Sequence, residues 1–265
     1  MFDWINFLEA SILCGLLTIY LLLFKKNALR SFSDYLLTVV ILTQCWTVLL
    51  FVLVYSESIL NSPHLYKTAA PISFLIAPLC YLYVRSVLFN ELRFKKTDFL
   101  HALPFLFFLV NYFPFFASST ESKLDILNAT LLDKNVAITT QLGLLPESFF
   151  YILRPIQTLF YLAFQWVLVL QFNKAFKVKE VQEQIGVVIS WLKVFTLTNT
   201  AVFFSLVFLI GLYLSIPNIF EENLLSLIPN SLLSISFFVG CTYLLVNPQV
   251  LNGLPFIKYK EKKSQ

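Results

Sequence analysis

The chain has 265 residues, of which 58% are hydrophobic and only 13% charged, with 29 Phe and a mean hydropathy of +0.77. A soluble domain carries roughly 25% charged residues, so a water-soluble globular fold is excluded. The net charge of +4 is informative by position rather than as a total.

Seven apolar stretches follow one another at 5–24, 35–55, 69–89, 99–117, 149–172, 194–214 and 224–246. A helix rises about 1.5 Å per residue and the hydrocarbon core is roughly 30 Å thick, so about twenty apolar residues span it. Backbone groups in lipid must be satisfied within the segment, which selects helices. The expected fold is an all-α integral membrane protein: a seven-transmembrane helix bundle over 1–246, then a basic cytoplasmic tail over 247–265.

The first stretch is preceded by Asp3 and carries Glu9, with no basic residue before it, so it is expected to act as the insertion signal itself. Lys25, Lys26 and Arg30 follow it, and Arg93, Lys95 and Lys96 follow the third. With Lys174, Lys177, Lys179, Lys193, Lys258, Lys260, Lys262 and Lys263, fourteen basic residues fall on one side. Lys67, Lys123 and Lys134 fall on the other, and Arg85 and Arg154 lie within spans. The positive-inside rule places the N-terminus outside and the C-terminus in the cytoplasm.

Asp34 opens the second stretch beside Ser31 and Ser33, where an acidic helix cap is expected. Cys14, Cys45, Cys80 and Cys241 lie inside spans without metal-like spacing and read as small buried hydrophobes. Between the fourth and fifth stretches, 118–148 is a long connection. Leu124, Leu127 and Leu131 recur there at helical spacing, so a short surface helix or lid competes with a solvated linker.

The fifth stretch holds the best candidate for chemistry. Arg154 lies about 10 Å into it, with Tyr151 three residues before and Gln157 and Tyr161 after. Ionisable groups inside a membrane are costly and are functional candidates for that reason. A guanidinium aimed into the bundle holds an anionic or carbonyl-bearing ligand bidentately; the competing reading is a side chain that snorkels outward to Glu147. The candidate ligand-binding residues are Arg154, Tyr151, Gln157 and Asn230. Gln44, Thr47, Asn111 and Asn199 either complete the pocket or only hydrogen-bond between helices.

Before the sixth stretch, Val178, Val181, Ile185, Val188 and Leu192 form a heptad seam over two repeats. It reads either as a homodimer contact through Lys174–Lys193 or as an amphipathic lead-in on the membrane surface. Pro71 and Pro78 in the third stretch and Pro229 in the seventh would suit an inverted-repeat transporter, but the patterns do not otherwise match.

Enzyme readings fail on specifics. His64 and His101 fall on opposite sides of the membrane, and the chain has neither HExxH nor a glycine-rich phosphate loop. No catalysis, metal or cofactor is expected.

Pro78-Leu-Cys-Tyr-Leu-Tyr-Val-Arg85-Ser86, then a basic turn, then His101-Ala-Leu-Pro104-Phe105, resembles the membrane half of bacterial seven-helix AraC-type transcriptional regulators. Gln157 with Tyr161, Trp191-Leu192-Lys193, and Pro248-Gln-Val-Leu-Asn-Gly253-Leu254 follow in the same order. The resemblance implies a sensor in the bacterial cytoplasmic (inner) membrane. The family's helix-turn-helix units would follow the tail, and none lies within these 265 residues, so no direct nucleic-acid binding by this chain is expected. The reading is a membrane-embedded signal-sensing module that binds an unknown small-molecule or lipidic ligand within the bilayer. A small secondary transporter or a stand-alone receptor-like protein is the alternative.

Overall fold

The computed structural model describes residues 4–24, 31–133, 136, 140–176, 183–215, 222–247 and 250. Six helices in it are long and apolar enough to cross a membrane. They lie within α1 (Trp4–Leu23), α2 (Phe32–Tyr55), α3 (Ala69–Phe89), α7 (Glu147–Phe176), α8 (Glu183–Ser215) and α9 (Glu222–Val246). Their outward faces carry large apolar side chains, among them Leu13, Leu42, Phe160 and Phe208, each more than half exposed. A soluble monomer rarely exposes such continuous apolar surface, and the chain is a multi-pass membrane protein.

The six helices close into a ring in chain order, α1–α2–α3–α7–α8–α9, with α9 packing back onto α1. Small residues let the first turn of this ring close tightly. A Cβ at Gly15 would sit 2.5 Å from the Cys45 sulfur, so a larger residue there would force the Cys45 side chain to move at this close approach of α1 to α2. Ser11 on α1 donates to Ser234 on α9 at 2.8 Å, which joins the ends of the ring. Its middle and one end are filled by an apolar core that includes Val40, Val84, Val188, Leu192 and Leu244. Cys45 and Cys80 are buried in that core, Cys241 is buried on α9 and Cys14 is half-buried, all as free thiols.

At α2 the sequence cap forms as a reciprocal pair. The Ser31 hydroxyl accepts from the Asp34 N–H at 3.2 Å, and the Asp34 carboxylate accepts from the Ser31 N–H at 2.8 Å.

The stretch at 99–117 is not one helix. A 3-10 helix (Lys96–Ala102) leads into α4 (Leu103–Asn111), the backbone breaks at Tyr112, and α5 (Phe113–Ala117) finishes it. Pro104 and Pro114 each sit in the first turn of their helix. Proline has no N–H to continue the preceding turn and favours a first-turn position, so the run restarts twice. This broken element packs on α3, outside the ring.

The long connection contains a helix, α6 (Thr120–Leu132), capped by Ser119. It lies over one end of the bundle, where Leu127 and the whole of Lys123 are buried. Beneath it is a second, aromatic core in which Phe74 stacks on Phe108 with ring centroids 4.1 Å apart. We call this the cap end.

The sixth stretch starts earlier than its hydropathy indicates, because α8 is already helical at Glu183. Ile185, Val188 and Leu192 are buried in the chain's own bundle, so the heptad spacing in this part reflects packing within the chain. Val178 and Val181, with most of the tail (248–249 and 251–265), lie outside the described residues.

Candidate functional site

A cavity of about 290 Å³ lies inside the ring, walled by α2, α3, α7, α8 and α9. On α7, Arg154, Thr158, Leu162 and Gln165 line it at spacings of four, four and three residues, which is one face of a helix. Gln44 and Asn199 line it as well, and the Gln44 amide donates to the Asn199 side-chain oxygen at 3.2 Å. These two residues also line a far smaller space of about 40 Å³ on the other side.

Toward the cap end, Arg154, Thr47 and Ser73 are shared with a wider groove of about 720 Å³, which Tyr66, Lys67 and Thr130 also line. Arg154 thus stands where groove and cavity meet. Lys67, Arg154 and Glu57 all line this mouth, and Lys67 is paired with Glu147, which leaves Arg154 as its cation without a carboxylate salt bridge among the described residues.

The Arg154 guanidinium lies 5.8 Å from the centre of the Phe150 ring. It forms no salt bridge with a carboxylate among the described residues. Glu147, to which a snorkelling side chain would reach, has one oxygen engaged by Lys67 at 3.2 Å and the Tyr112 hydroxyl at 2.8 Å, while its other oxygen is buried without a hydrogen-bond partner. Burial holds the Lys67 ammonium below its ordinary range, more than the Glu147 charge raises it. The Lys67 backbone is left-handed (φ 63°), an uncommon conformation outside glycine.

The sequence candidates divide. Arg154 and Asn230 line the cavity together, and Tyr151 lines the groove beside Arg154. Gln157 does neither; it donates to the Phe74 carbonyl on α3 at 3.2 Å. Gln44, Thr47 and Asn199 are on the cavity wall. Asn111 instead fastens the connection over the cap end, accepting from the Leu145 N–H at 2.8 Å with its side chain and from the Leu144 N–H at 3.0 Å with its carbonyl. A Cβ at Gly143 would run into that asparagine.

Sequence reasoning missed Gln165. It is 0% exposed, and neither its amide nitrogen nor its oxygen has a hydrogen-bond partner. The signal was present: eleven residues after Arg154 is three helical turns, so the two share a face.

At the opposite end from the cap, Arg85 binds Asp98 at 2.7 Å and Glu91 at 3.0 Å, and Glu91 also pairs with Lys95. Asp98 closes its own turn by accepting from the Lys95 N–H at 2.8 Å. Burial raises the Asp98 pKa, but Arg85 and the Lys95 N–H outweigh it and hold the carboxyl below its usual range. Nearby, His101 hydrogen-bonds Tyr161 at 2.6 Å, and Trp191 donates to the Tyr83 hydroxyl at 2.6 Å.

Among the described residues, no group of three or more His, Cys, Asp or Glu is placed to hold a metal ion. Fold and site together define a class: a polytopic helical ring around a cationic cavity that meets a groove at one end. No protein-family model, curated protein or solved structure matches the chain.

Proposed function

We propose that the chain is a membrane-embedded receptor that senses an anionic ligand through Arg154 and passes the signal across the bilayer. The observation that carries this reading is the placement of Arg154. It is a membrane-depth cation without a carboxylate salt bridge among the described residues, at the junction of groove and cavity. A charge in that setting is costly unless a ligand compensates it. The cap end faces outward, as the charge distribution along the sequence favours, and 99–117 crosses as a kinked seventh span on the flank of α3.

The resemblance to the sensor half of AraC-type regulators is consistent with this reading and would put the chain in the bacterial cytoplasmic membrane. The signal would be a difference in ligand affinity between two arrangements of α7, α8 and α9, whose walls meet at the cavity. Purified chain in lipid nanodiscs tests the idea. Aliphatic carboxylates raise its melting temperature, amines of the same length do not, and Arg154→Ala removes the rise. Absence of any carboxylate-dependent rise in the parent chain overturns the reading.

One observation favours a second reading, a small secondary transporter. Beyond Gln44 and Asn199 the space continues toward the other end. It narrows there from about 290 to about 40 Å³ and is bridged by their hydrogen bond, which favours a binding site over a path.

A further inference from the structure

Accepting the Arg154 site as the place where the anion binds, we propose that its ligand is an elongated amphiphile. Its acid is held by Arg154, and a second hydrogen-bonding group at its far end is held by Gln165.

Gln165 carries this inference. Its amide is wholly buried in a membrane-spanning helix with neither atom partnered, while it lines the same cavity as Arg154. A buried primary amide offers two donors and an acceptor, and leaving all of them unused is costly. The other buried side-chain amides among the described residues, Gln44 and Asn111, bond to protein, so an unpartnered one points to a ligand group. A hydroxyl or carbonyl oxygen is the smallest group that satisfies it.

Position fixes the shape of the molecule between the two ends. Arg154 and Gln165 share one face of α7 and are separated by about 16 Å of helix rise. Besides Thr158, which lies between them on α7, the wall is built largely of apolar side chains, among them Ile76, Ala77, Leu162, Val202, Phe203 and Leu233. A polymethylene segment fits such a wall. An extended chain advances roughly 1.2 Å per bond, so about thirteen bonds link the acid to the far group. The ligand class is thus a medium-chain acid oxygenated at or near its terminus, and a simple fatty acid would leave Gln165 unpaired.

The experiment measures affinities of four probes for the full chain in nanodiscs by displacement of a fluorescent carboxylate: dodecanoate, 12-hydroxydodecanoate, octanoate and 8-hydroxyoctanoate. The expected result is that 12-hydroxydodecanoate binds about tenfold more tightly than dodecanoate, whereas 8-hydroxyoctanoate, too short to reach, gains nothing over octanoate. Gln165→Leu abolishes the tenfold gain yet keeps the affinity for dodecanoate, which also certifies that the variant is folded. Arg154→Ala weakens both long acids.

Equal binding of the two long acids overturns the proposal, as does a gain that survives Gln165→Leu or appears equally in the eight-carbon pair. In each of those cases, sensitivity to Arg154→Ala leaves the anion site standing. If no acid binds, or binding ignores Arg154→Ala, the anion site falls and this proposal with it.

Discussion

Gln157 on α7 donates its side-chain amide to the Phe74 carbonyl on α3, 3.2 Å away, and Phe74 lies four residues before Pro78. In an uninterrupted helix that carbonyl would accept from the N–H of residue 78, which proline lacks. The glutamine supplies the missing donor from the neighbouring helix. A residue that the sequence offered as a ligand contact is thus a repair to a proline-interrupted helix, and it fixes α7 against α3 at the cavity's rim.

Gln157→Leu should therefore lower stability by about 1–2 kcal/mol, the usual cost of leaving a buried carbonyl unpaired, while carboxylate affinity stays unchanged. Pro78→Ala in the same chain restores the backbone donor and should recover most of the loss. Thermal melts of the two single variants and the double variant form a cycle whose coupling reads the Gln157–Pro78 relationship directly. Additive losses would sever it.

How much of this was legible in the sequence depends on which interactions set each feature. Spans such as Phe32–Tyr55 announce themselves because hydropathy and length are local properties. The Ser31–Asp34 cap is local too. The broken element before α6 was written in Pro104 and Pro114, but a count of apolar residues does not weigh two prolines ten residues apart. Arg154 and Asn230 meet because both face the interior of the ring, which polarity alone anticipates. Gln157 and Gln165 are the same residue type two turns apart on one helix; one meets an orphaned carbonyl and the other a cavity. That difference belongs to α3, and nothing within α7 encodes it.

Arg154→Met should stabilise the ligand-free protein. The substitution removes a half-buried cation that has no carboxylate salt bridge among the described residues and keeps most of the volume, and replacing charges away from water with apolar groups is often stabilising. A gain of about 1 kcal/mol corresponds to roughly 2–4 °C in melting temperature for a chain of this size. The same variant should show no carboxylate-induced rise. A variant less stable than the parent would mean that the guanidinium holds the fold together rather than a ligand.

At the other end, Asp98→Ala should cost about 2 kcal/mol at neutral pH, because it removes the closest of the two carboxylates that pair with Arg85. The pH dependence has a definite sign. Asp98 titrates below its usual range in the folded chain, so its ionised form stabilises the fold above that range. The contribution is lost as pH falls through the depressed folded value. Melting curves of parent and variant should lie farthest apart near neutrality and draw together as pH falls below the ordinary carboxylate range. A gap independent of pH would assign the loss to packing instead.

Sealed vesicles containing the chain should accumulate no labelled medium-chain acid above protein-free controls, even with an imposed pH gradient. The space beyond Gln44 and Asn199, about 40 Å³, is too small for a ligand that fills the larger cavity. Replacing both residues by alanine widens that point without adding a second access state, so flux should stay at background there as well. Accumulation by the parent chain would favour the transporter reading.

The cap offers a kinetic test. Lys123 is 1% exposed, and its ammonium donates to the Phe116 carbonyl at 2.8 Å and to the His64 ring at 3.1 Å. It lies 5.7 Å from the Phe115 ring centre, so α6 is held down by one charge satisfied from three sides. Lys123→Ala takes the donor from the Phe116 carbonyl and leaves an unfilled space beneath α6, while Arg154, Gln165 and the walls between them are untouched. Thr130 and Leu131 of the same helix form part of the groove. A loosened α6 should therefore raise the rates of carboxylate association and dissociation together, with little change in affinity. Amide hydrogen exchange should rise about tenfold across 120–132, the equivalent of roughly 1.4 kcal/mol, and stay constant in α3 and α7. If exchange rises while both binding rates remain at parent values, α6 covers the aromatic core beneath it and does not gate the groove.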